Sequence, residues 1–143
     1  MKNNTIIISS HPDDESLGCG DTLLKHHAHY WLIIPNVLAE DGYSKEWRIN
    51  SRQIEIGAVA SHLGVKKVFK LDYPTMKLSS SSLQTLIPKI SSIFYETKPS
   101  TIYLVNRSDA HSDHRTTFEA AMACTKSLQI SFYQKSLSVR VYI

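Results

Sequence analysis

The chain has 143 residues, of which 42% are hydrophobic and 20% are charged, and its net charge is +3. These values are typical of a soluble globular protein and predict a single domain over residues 1–143, long enough to build a core without a disulfide or structural metal. The 16 basic residues are scattered rather than clustered, which argues against nucleic-acid binding, and no apolar run is long enough to span a bilayer.

A cytoplasmic location is expected, because residues 1–10 lack the basic start and long apolar run of a signal peptide. The two cysteines, Cys19 and Cys124, lie far apart and form no CxxC or zinc-ribbon spacing. In a reducing compartment we expect both thiols to be free and buried. Cys19 has an alternative placement, lining a site, since it follows Asp14 by five residues.

Strands and helices are expected to alternate along the chain. Short apolar runs such as 5–8, rich in β-branched residues, predict buried strands, whereas a 3.6-residue apolar repeat predicts helices. The expected strands are 5–10, 32–39, 67–72, 101–105 and 137–142. The expected helices are 15–29, 46–63, 83–97 and 114–128.

Local signals refine three of these helices. Gly64 fits the C-terminal end of the second, and the four serines at 79–82 predict a loop that ends in the N-cap of the third. Pro88 should bend that third helix or mark its true start. One side of the second helix carries the apolar residues Ile49, Ile56, Val59, Ala60 and Leu63. The buried stripe expected in the last helix is Phe118, Ala121, Met122 and Leu128.

This alternation predicts an α/β fold of three layers: a mostly parallel, Rossmann-like sheet with helices on both faces. Right-handed crossovers bring the carboxyl ends of all strands to one edge, where open α/β sheets bind their ligands. The first and fourth strands should therefore deliver two distant polar segments to the same edge.

Those segments are His11-Pro12-Asp13-Asp14-Glu15 and His111-Ser112-Asp113-His114. His11 and Asp14 are three positions apart, as are His111 and His114, and residues at that separation share one side of a helical turn. Imidazole and carboxylate ligands suit Zn²⁺, and Fe²⁺, Mn²⁺ or Co²⁺ can occupy such a set. His11, Asp14 and His114 would form a three-ligand site that leaves a position for water.

The remaining polar groups suit hydrolysis. Metal binding lowers the pKa of bound water from about 15.7 toward ~7, and Asp13 could accept its proton. His111 could donate a proton to a departing nitrogen or stabilise an oxyanion. Asp113 could orient a neighbouring imidazole.

A simpler interpretation was weighed for each segment. His11 could be a helix-entry residue, with the three acidic side chains favouring the positive end of a helix, and the second segment could be a solvated loop. Two such segments, each at the predicted carboxyl end of a strand, favour the metal site. The histidines at 26, 27, 29 and 62 fall in predicted helices and are expected to be solvated or packing residues.

Motif order and spacing over about residues 4–128 resemble the PIG-L/LmbE family of zinc-dependent de-N-acetylases. The resemblance rests on residues 10–15 with Leu17-Gly18-Cys19-Gly20, on residues 109–115, and more weakly on Arg52-Gln53-Ile54-Glu55 with Leu63-Gly64-Val65. Two departures stand out: residues 39–42 replace a threonine-containing turn, and the chain stops at Ile143, short of the family's usual C-terminal portion, which helps wall the substrate cleft.

The resemblance implies that His11, Asp14 and His114 bind zinc, that Asp13 is the general base and that His111 is the acid or oxyanion partner. It also implies that Arg52 contacts substrate. The reaction expected is hydrolysis of the N-acetyl amide of an N-acetylglucosamine conjugate, releasing acetate and a free amine.

Two other functions were weighed. One is a metal-binding or interaction domain without efficient catalysis, motivated by the short C-terminus. The other is a nucleotide-binding domain, disfavoured because Gly18-Cys19-Gly20 lacks the GxGxxG spacing. A small-molecule or glycoconjugate substrate is expected, and an uncovered sheet edge makes a homo-oligomer a further expectation.

Overall fold

The computed structural model describes residues 4–9, 29–36, 46–74, 83–105, 112–131 and 137–142. In these ranges five strands form one sheet and three helices accompany it. The strands are β1 (Thr5–Ser9), β2 (His29–Asn36), β3 (Val68–Pro74), β4 (Thr101–Val105) and β5 (Ser138–Tyr142). The helices are α1 (Glu46–His62), α2 (Leu83–Thr97) and α3 (Ser112–Ser131).

All neighbouring strands of the sheet are parallel, in the order β3-β2-β1-β4-β5. The chain therefore runs outward from β1 to β3, returns to the other side of β1, and continues to β5. Right-handed crossovers then place α1 on one face and α2 with α3 on the other. The predicted α/β architecture, a parallel sheet between helices, is confirmed.

The core surrounds the central strand. All five residues of β1 are buried, as expected for a strand covered on both faces. Full burial of one large aliphatic side chain contributes about 1.5–3 kcal/mol. The helices add apolar side chains from both faces: Ile56, Ala60, Leu86, Ile90, Ile93, Phe94, Ala120, Ala121 and Cys124.

The end of α1 is set by Gly64, as predicted. Gly64 has φ +69° and its N–H donates to the Ser61 carbonyl, while the Val65 N–H donates to the Ala60 carbonyl at 2.9 Å. These two bonds form a Schellman motif, which satisfies carbonyls that the last helical turn leaves open. Nε2 of His29, the first residue of β2, lies 2.8 Å from the Leu63 carbonyl oxygen, so α1 ends at the amino edge of the sheet.

β2 begins earlier than predicted. His29 and Tyr30 pair with Thr5 and Ile6, so the helix expected at 15–29 does not include its last residue; the rest of that helix lies outside the described residues. His29 is buried and bonded through its ring. The local sequence, with histidines at 26, 27 and 29, favours a solvated segment. Pairing with β1 nevertheless makes residue 29 the first residue of β2.

α2 and α3 differ from the expectation in detail. α2 begins at Leu83, so Pro88 lies inside the helix rather than at its start. In α3, Met122 is 37% exposed instead of buried. The buried residues of α3 that the structure describes are Asp113, Thr117, Ala120, Ala121, Cys124 and Thr125.

The small side chains in that set let α3 pack closely on α2 and the sheet. The Ser91 hydroxyl of α2 lies 3.3 Å from the Cys124 sulfur, for example. Among α1, α2 and α3, no helix has an apolar stretch suited to crossing a membrane.

Candidate metal and catalytic site

The candidate site lies at the carboxyl edge of the sheet, where β1 and β4 are neighbours. Their register pairs Thr5 with Thr101 and Ile7 with Tyr103, so the two strands run side by side in the same direction. Neighbouring strands are about 4.8 Å apart. The strand order also reverses between β1 and β4, which is the place where open α/β sheets bind ligands.

This pairing brings together the ends of the two strands that precede the polar segments. The His11–Glu15 segment begins two residues after Ser9, and the segment that contains His111 follows Val105. The sheet topology brings the carboxyl ends of β1 and β4 to one edge, as expected. His11, Asp13, Asp14 and His111 themselves lie outside the described residues.

The first turn of α3 carries two of the predicted site residues. Asp113 is fully buried, and His114 is half-buried next to it. Because α3 packs against both β4 and β1, its N-terminal turn lies over the edge where these strands end. A carboxylate in the first turn is stabilised by the positive end of the helix.

Asp113 belongs to the stripe of α3 that faces the core. Thr117, Ala120, Ala121 and Cys124 follow at helical spacing and are also buried. A charged side chain is seldom fully buried without polar partners, and Asp113 has at least one hydrogen-bonding or electrostatic partner. This placement fits a carboxylate that orients a neighbouring group. The predicted buried stripe of this helix began at Phe118 and therefore did not include Asp113.

Arg52 lies in the N-terminal half of α1, and the structure describes its backbone there. Since α1 ends at the amino edge, this half of the helix lies toward the carboxyl edge, where the candidate site is. The neighbouring Gln53 side chain accepts a hydrogen bond from Lys70 of β3. The helix position is therefore compatible with the predicted substrate contact.

Sequence reasoning missed one pair of residues at this edge. Trp31 Nε1 of β2 donates to the Ser9 hydroxyl oxygen at 2.7 Å, and both residues are buried. Ser9 is the last residue of β1 before the first polar segment. The sequence signal was weak, because a serine at a strand end and a tryptophan in an apolar strand are each ordinary.

The described cysteine is not part of the site. Cys124 lies between α2 and α3, where burial raises the pKa of its thiol and hydrogen bonding to Ser91 offsets part of the rise. A neutral, buried thiol is a poor nucleophile and metal ligand. The burial predicted for Cys124 is confirmed, and Cys19 lies outside the described residues.

The donor chemistry of the predicted ligands fits zinc. His11 and His114 would supply imidazole nitrogens and Asp14 a carboxylate oxygen, which leaves the fourth position of a tetrahedral ion for water. Within the described ranges, no three His, Cys, Asp or Glu side chains form a metal-binding group. Of the three predicted ligands only His114 belongs to these ranges, where it lies in the first turn of α3.

A separate surface groove lies between β3 and α2. Its volume is about 580 Å³, and its lining includes Phe69, Leu71, Pro88 and Ile93. None of its described lining residues is a candidate site residue. The groove is therefore distinct from the site at the β1–β4 edge.

Comparison with known proteins gives a curated relative in Escherichia coli (strain K12), the uncharacterized deacetylase YaiS. It is 28% identical over 135 residues, which cover 90% of this chain and 72% of the relative.

Two solved structures share the fold. The N,N'-diacetylchitobiose deacetylase from Pyrococcus horikoshii matches 98% of this chain and 60% of its own, with a TM-score of 0.80 at 20% identity. The 4-carboxy-2-hydroxymuconate hydratase GalB from Pseudomonas putida KT2440 matches 97% of this chain and 62% of its own, with a TM-score of 0.74 at 17% identity. The chain thus spans about three-fifths of each of these structural relatives.

A match to a protein family covers most of the sequence. Residues 6–125 match the family described as PIG-L: GlcNAc-PI de-N-acetylase. The matched range begins in β1 and ends in α3, so it includes both polar segments, Arg52 and the β1–β4 pair. The chain therefore belongs to the PIG-L de-N-acetylase family.

Proposed function

We propose that this chain is a metal-dependent N-deacetylase that hydrolyses the N-acetyl amide of an N-acetylglucosamine-type sugar conjugate and releases acetate and a free amine. The observation that carries the proposal is the parallel pairing of β1 with β4. This pairing brings together the carboxyl ends of the two strands that precede the polar segments, at the strand-order reversal. Family membership supports the same reaction.

The proposed ligands are His11, Asp14 and His114, with Zn²⁺ as the first choice and Fe²⁺, Mn²⁺ or Co²⁺ as alternatives. When bound, such an ion acidifies a water molecule and polarises the amide carbonyl. The half-buried position of His114 suits a ligand, because a partly dry environment strengthens charge interactions.

The other residues have roles in moving protons and holding substrate. Asp13 would accept a proton from the attacking water, and His111 would donate one to the amine nitrogen as the C–N bond breaks. Buried Asp113 would hold one of the neighbouring imidazoles in its working orientation and tautomer. Arg52 would bind the sugar or an anionic substituent on it.

The direct test is acetate release. The purified chain is loaded with zinc, its metal content is measured, and it is incubated with a panel of N-acetylglucosamine conjugates and free N-acetylglucosamine. We expect acetate and a primary amine in equal amounts from at least one conjugate. A zinc-loaded protein that releases no acetate from any member of the panel contradicts the proposal.

The second candidate is a metal-binding domain without efficient catalysis. The observation that favours it is the coverage of the structural relatives, since the chain spans 60% of the chitobiose deacetylase chain. It predicts tight zinc binding with no hydrolysis. Metal titration and the acetate assay on the same sample separate the two candidates.

A further inference from the structure

We propose that Ser9 and Trp31 are positioning residues for the metal site, because their hydrogen bond fixes the end of β1 from which the His11–Glu15 segment leaves. This inference rests on the proposed function, since it assumes that His11 and Asp14 bind a metal ion. It assigns a role to a buried hydrogen-bonded pair at the carboxyl end of β1.

The geometry shows that the indole ring extends toward the carboxyl edge. In the register of β1 and β2, Trp31 pairs with Ile7, whereas Ser9 pairs with Ile33. At about 3.3 Å per residue, Ser9 lies roughly 6.6 Å farther along the strand direction than the Trp31 backbone. Nε1 nevertheless reaches the Ser9 oxygen at 2.7 Å, so the ring spans this offset.

The bond is buried and short. Ser9 is 0% exposed and Trp31 is 1% exposed. A distance of 2.7 Å is at the short limit for an N–H···O bond. The indole has one donor and no acceptor, so removing the hydroxyl leaves its N–H without this partner.

A hydrogen-bonded pair restricts the position of a strand end more tightly than apolar packing does, because a hydrogen bond depends on both distance and angle. Ser9 is already aligned with Ile33 by strand pairing, and the side-chain bond adds a second constraint to the same residue. Metal ligands need an accurate orientation, and losing a group that holds a ligand costs about 10–100-fold in metal affinity. Ser9 is two residues from His11, so a displacement of the Ser9 backbone should also displace this proposed first ligand.

The test measures metal affinity instead of stability. Co²⁺ binding is followed by visible absorption, and Zn²⁺ affinity is obtained by competition, for Ser9→Ala, Ser9→Thr, Trp31→Phe and the double variant Ser9→Ala/Trp31→Phe. We expect about 10-fold weaker binding for Ser9→Ala and for Trp31→Phe, with altered Co²⁺ spectra. Ser9→Thr keeps the hydroxyl and should retain wild-type affinity.

The double variant tests whether the two residues act as a pair. If they act through their bond, the double variant binds metal no more weakly than the poorer single variant. If each residue contributes separately, the two losses multiply, and the inference is wrong.

The matched control is Thr97→Val at the opposite end of β1. Thr97 is 1% exposed, its hydroxyl donates to the Ile93 carbonyl at 2.8 Å, and its own carbonyl accepts from the side chain of Asn4. This variant also removes a buried hydroxyl bond. It should lower the unfolding midpoint and leave metal affinity unchanged.

Two further results would overturn the inference. One is wild-type affinity in both Ser9→Ala and Trp31→Phe; the other is an equal loss in Thr97→Val, which would make the effect one of general stability. A wild-type protein that binds neither metal instead contradicts the proposed function on which the inference rests. If Ser9→Ala does not fold, Trp31→Phe carries the comparison with Thr97→Val.

Discussion

The two ends of β1 are held in different ways. At the amino end, the Asn4 carbonyl accepts backbone bonds from Ser100 and Thr101, and the Asn4 side chain donates to the Thr97 carbonyl. These contacts tie the strand to β4 and to the end of α2. At the carboxyl end, the Ser9 hydroxyl is bonded to the indole of Trp31, and the chain then leaves for the first polar segment.

The same contrast extends to the two edges of the sheet. The amino edge holds two helix ends that adopt left-handed backbone, at Gly64 with φ +69° and Lys98 with φ +45°. The carboxyl edge holds buried Asp113 and half-buried His114. The amino edge is where two helices end, whereas the carboxyl edge carries candidate site residues. Substitutions at the two edges should therefore have separable effects.

The largest effect is expected from His114→Ala at the carboxyl edge. Loss of one of three protein ligands should weaken zinc binding more than 100-fold, beyond the about 10–100-fold effect of losing a supporting group, and should abolish acetate release. Arg115→Ala, at the exposed neighbouring position, is the matched control. Equal metal content in His114→Ala and wild type would remove this residue from the ligand set.

Asp13→Asn should separate catalysis from binding at the same edge. Loss of a general base lowers the rate by about 10²–10⁴-fold, whereas the zinc content should remain near that of the wild type. Acetate release and metal analysis on one preparation check both points. If the metal is lost as well, Asp13 is a ligand and the assignments of Asp13 and Asp14 are reversed.

At the amino edge, Gly64→Ala should affect stability alone. Holding a side chain at φ +69° costs about 1–2 kcal/mol of unfolding free energy, while metal affinity should not change. Gly57→Ala is the matched control, because Gly57 lies within α1 and a Cβ there meets nothing within 4 Å. That control should stabilise the protein by about 0.5–1 kcal/mol, so urea unfolding should give shifts of opposite sign.

The smallest effect is expected for the pH dependence of stability that the Cys124 thiol causes. Cys124 lies between the two edges of the sheet. Burial raises the pKa of this thiol above its ordinary value of 9.0, so the folded state holds the proton more tightly than the unfolded chain. The resulting stabilisation is present below pH 9 and declines as the pH rises through the folded-state pKa.

The stability advantage of the wild type over Cys124→Ala should therefore narrow above pH 9, by less than about 1.4 kcal/mol per pH unit. Urea unfolding of both proteins between pH 7.5 and 10 measures this difference. Parallel pH profiles would show that the thiol titrates alike in the folded and unfolded states.

Much of the fold could be predicted because the local and tertiary signals agree. The helix at 83–97 and the strand at 101–105 have the predicted bounds, and Gly64 ends α1 as expected. The start of β2 could not be predicted, because His29 is placed by pairing with Thr5 and by its bond to Leu63. Neither partner is visible in the local sequence pattern.

For the site, the sequence identifies the candidate residues, and the sheet topology determines which strand ends lie next to each other. The shared edge of all strand ends follows from the alternation of strands and helices, whereas the pairing of β1 with β4 depends on the strand order and was not predicted. The burial of Asp113 was not predicted either, since it depends on how closely the alanines at 120 and 121 let α3 approach its neighbours. The Ser9–Trp31 bond likewise depends on side-chain reach across two strands.

The central place of β1 has a kinetic consequence. β1 comes before the other described strands in the chain. Its neighbour β4 follows Ser100, whose hydroxyl bonds to the Asn4 carbonyl across a separation of 96 residues. Contacts between such distant residues form slowly, because a long loop must close before they are gained. The pairing of β1 with β4 therefore has to wait until β4 has left the ribosome.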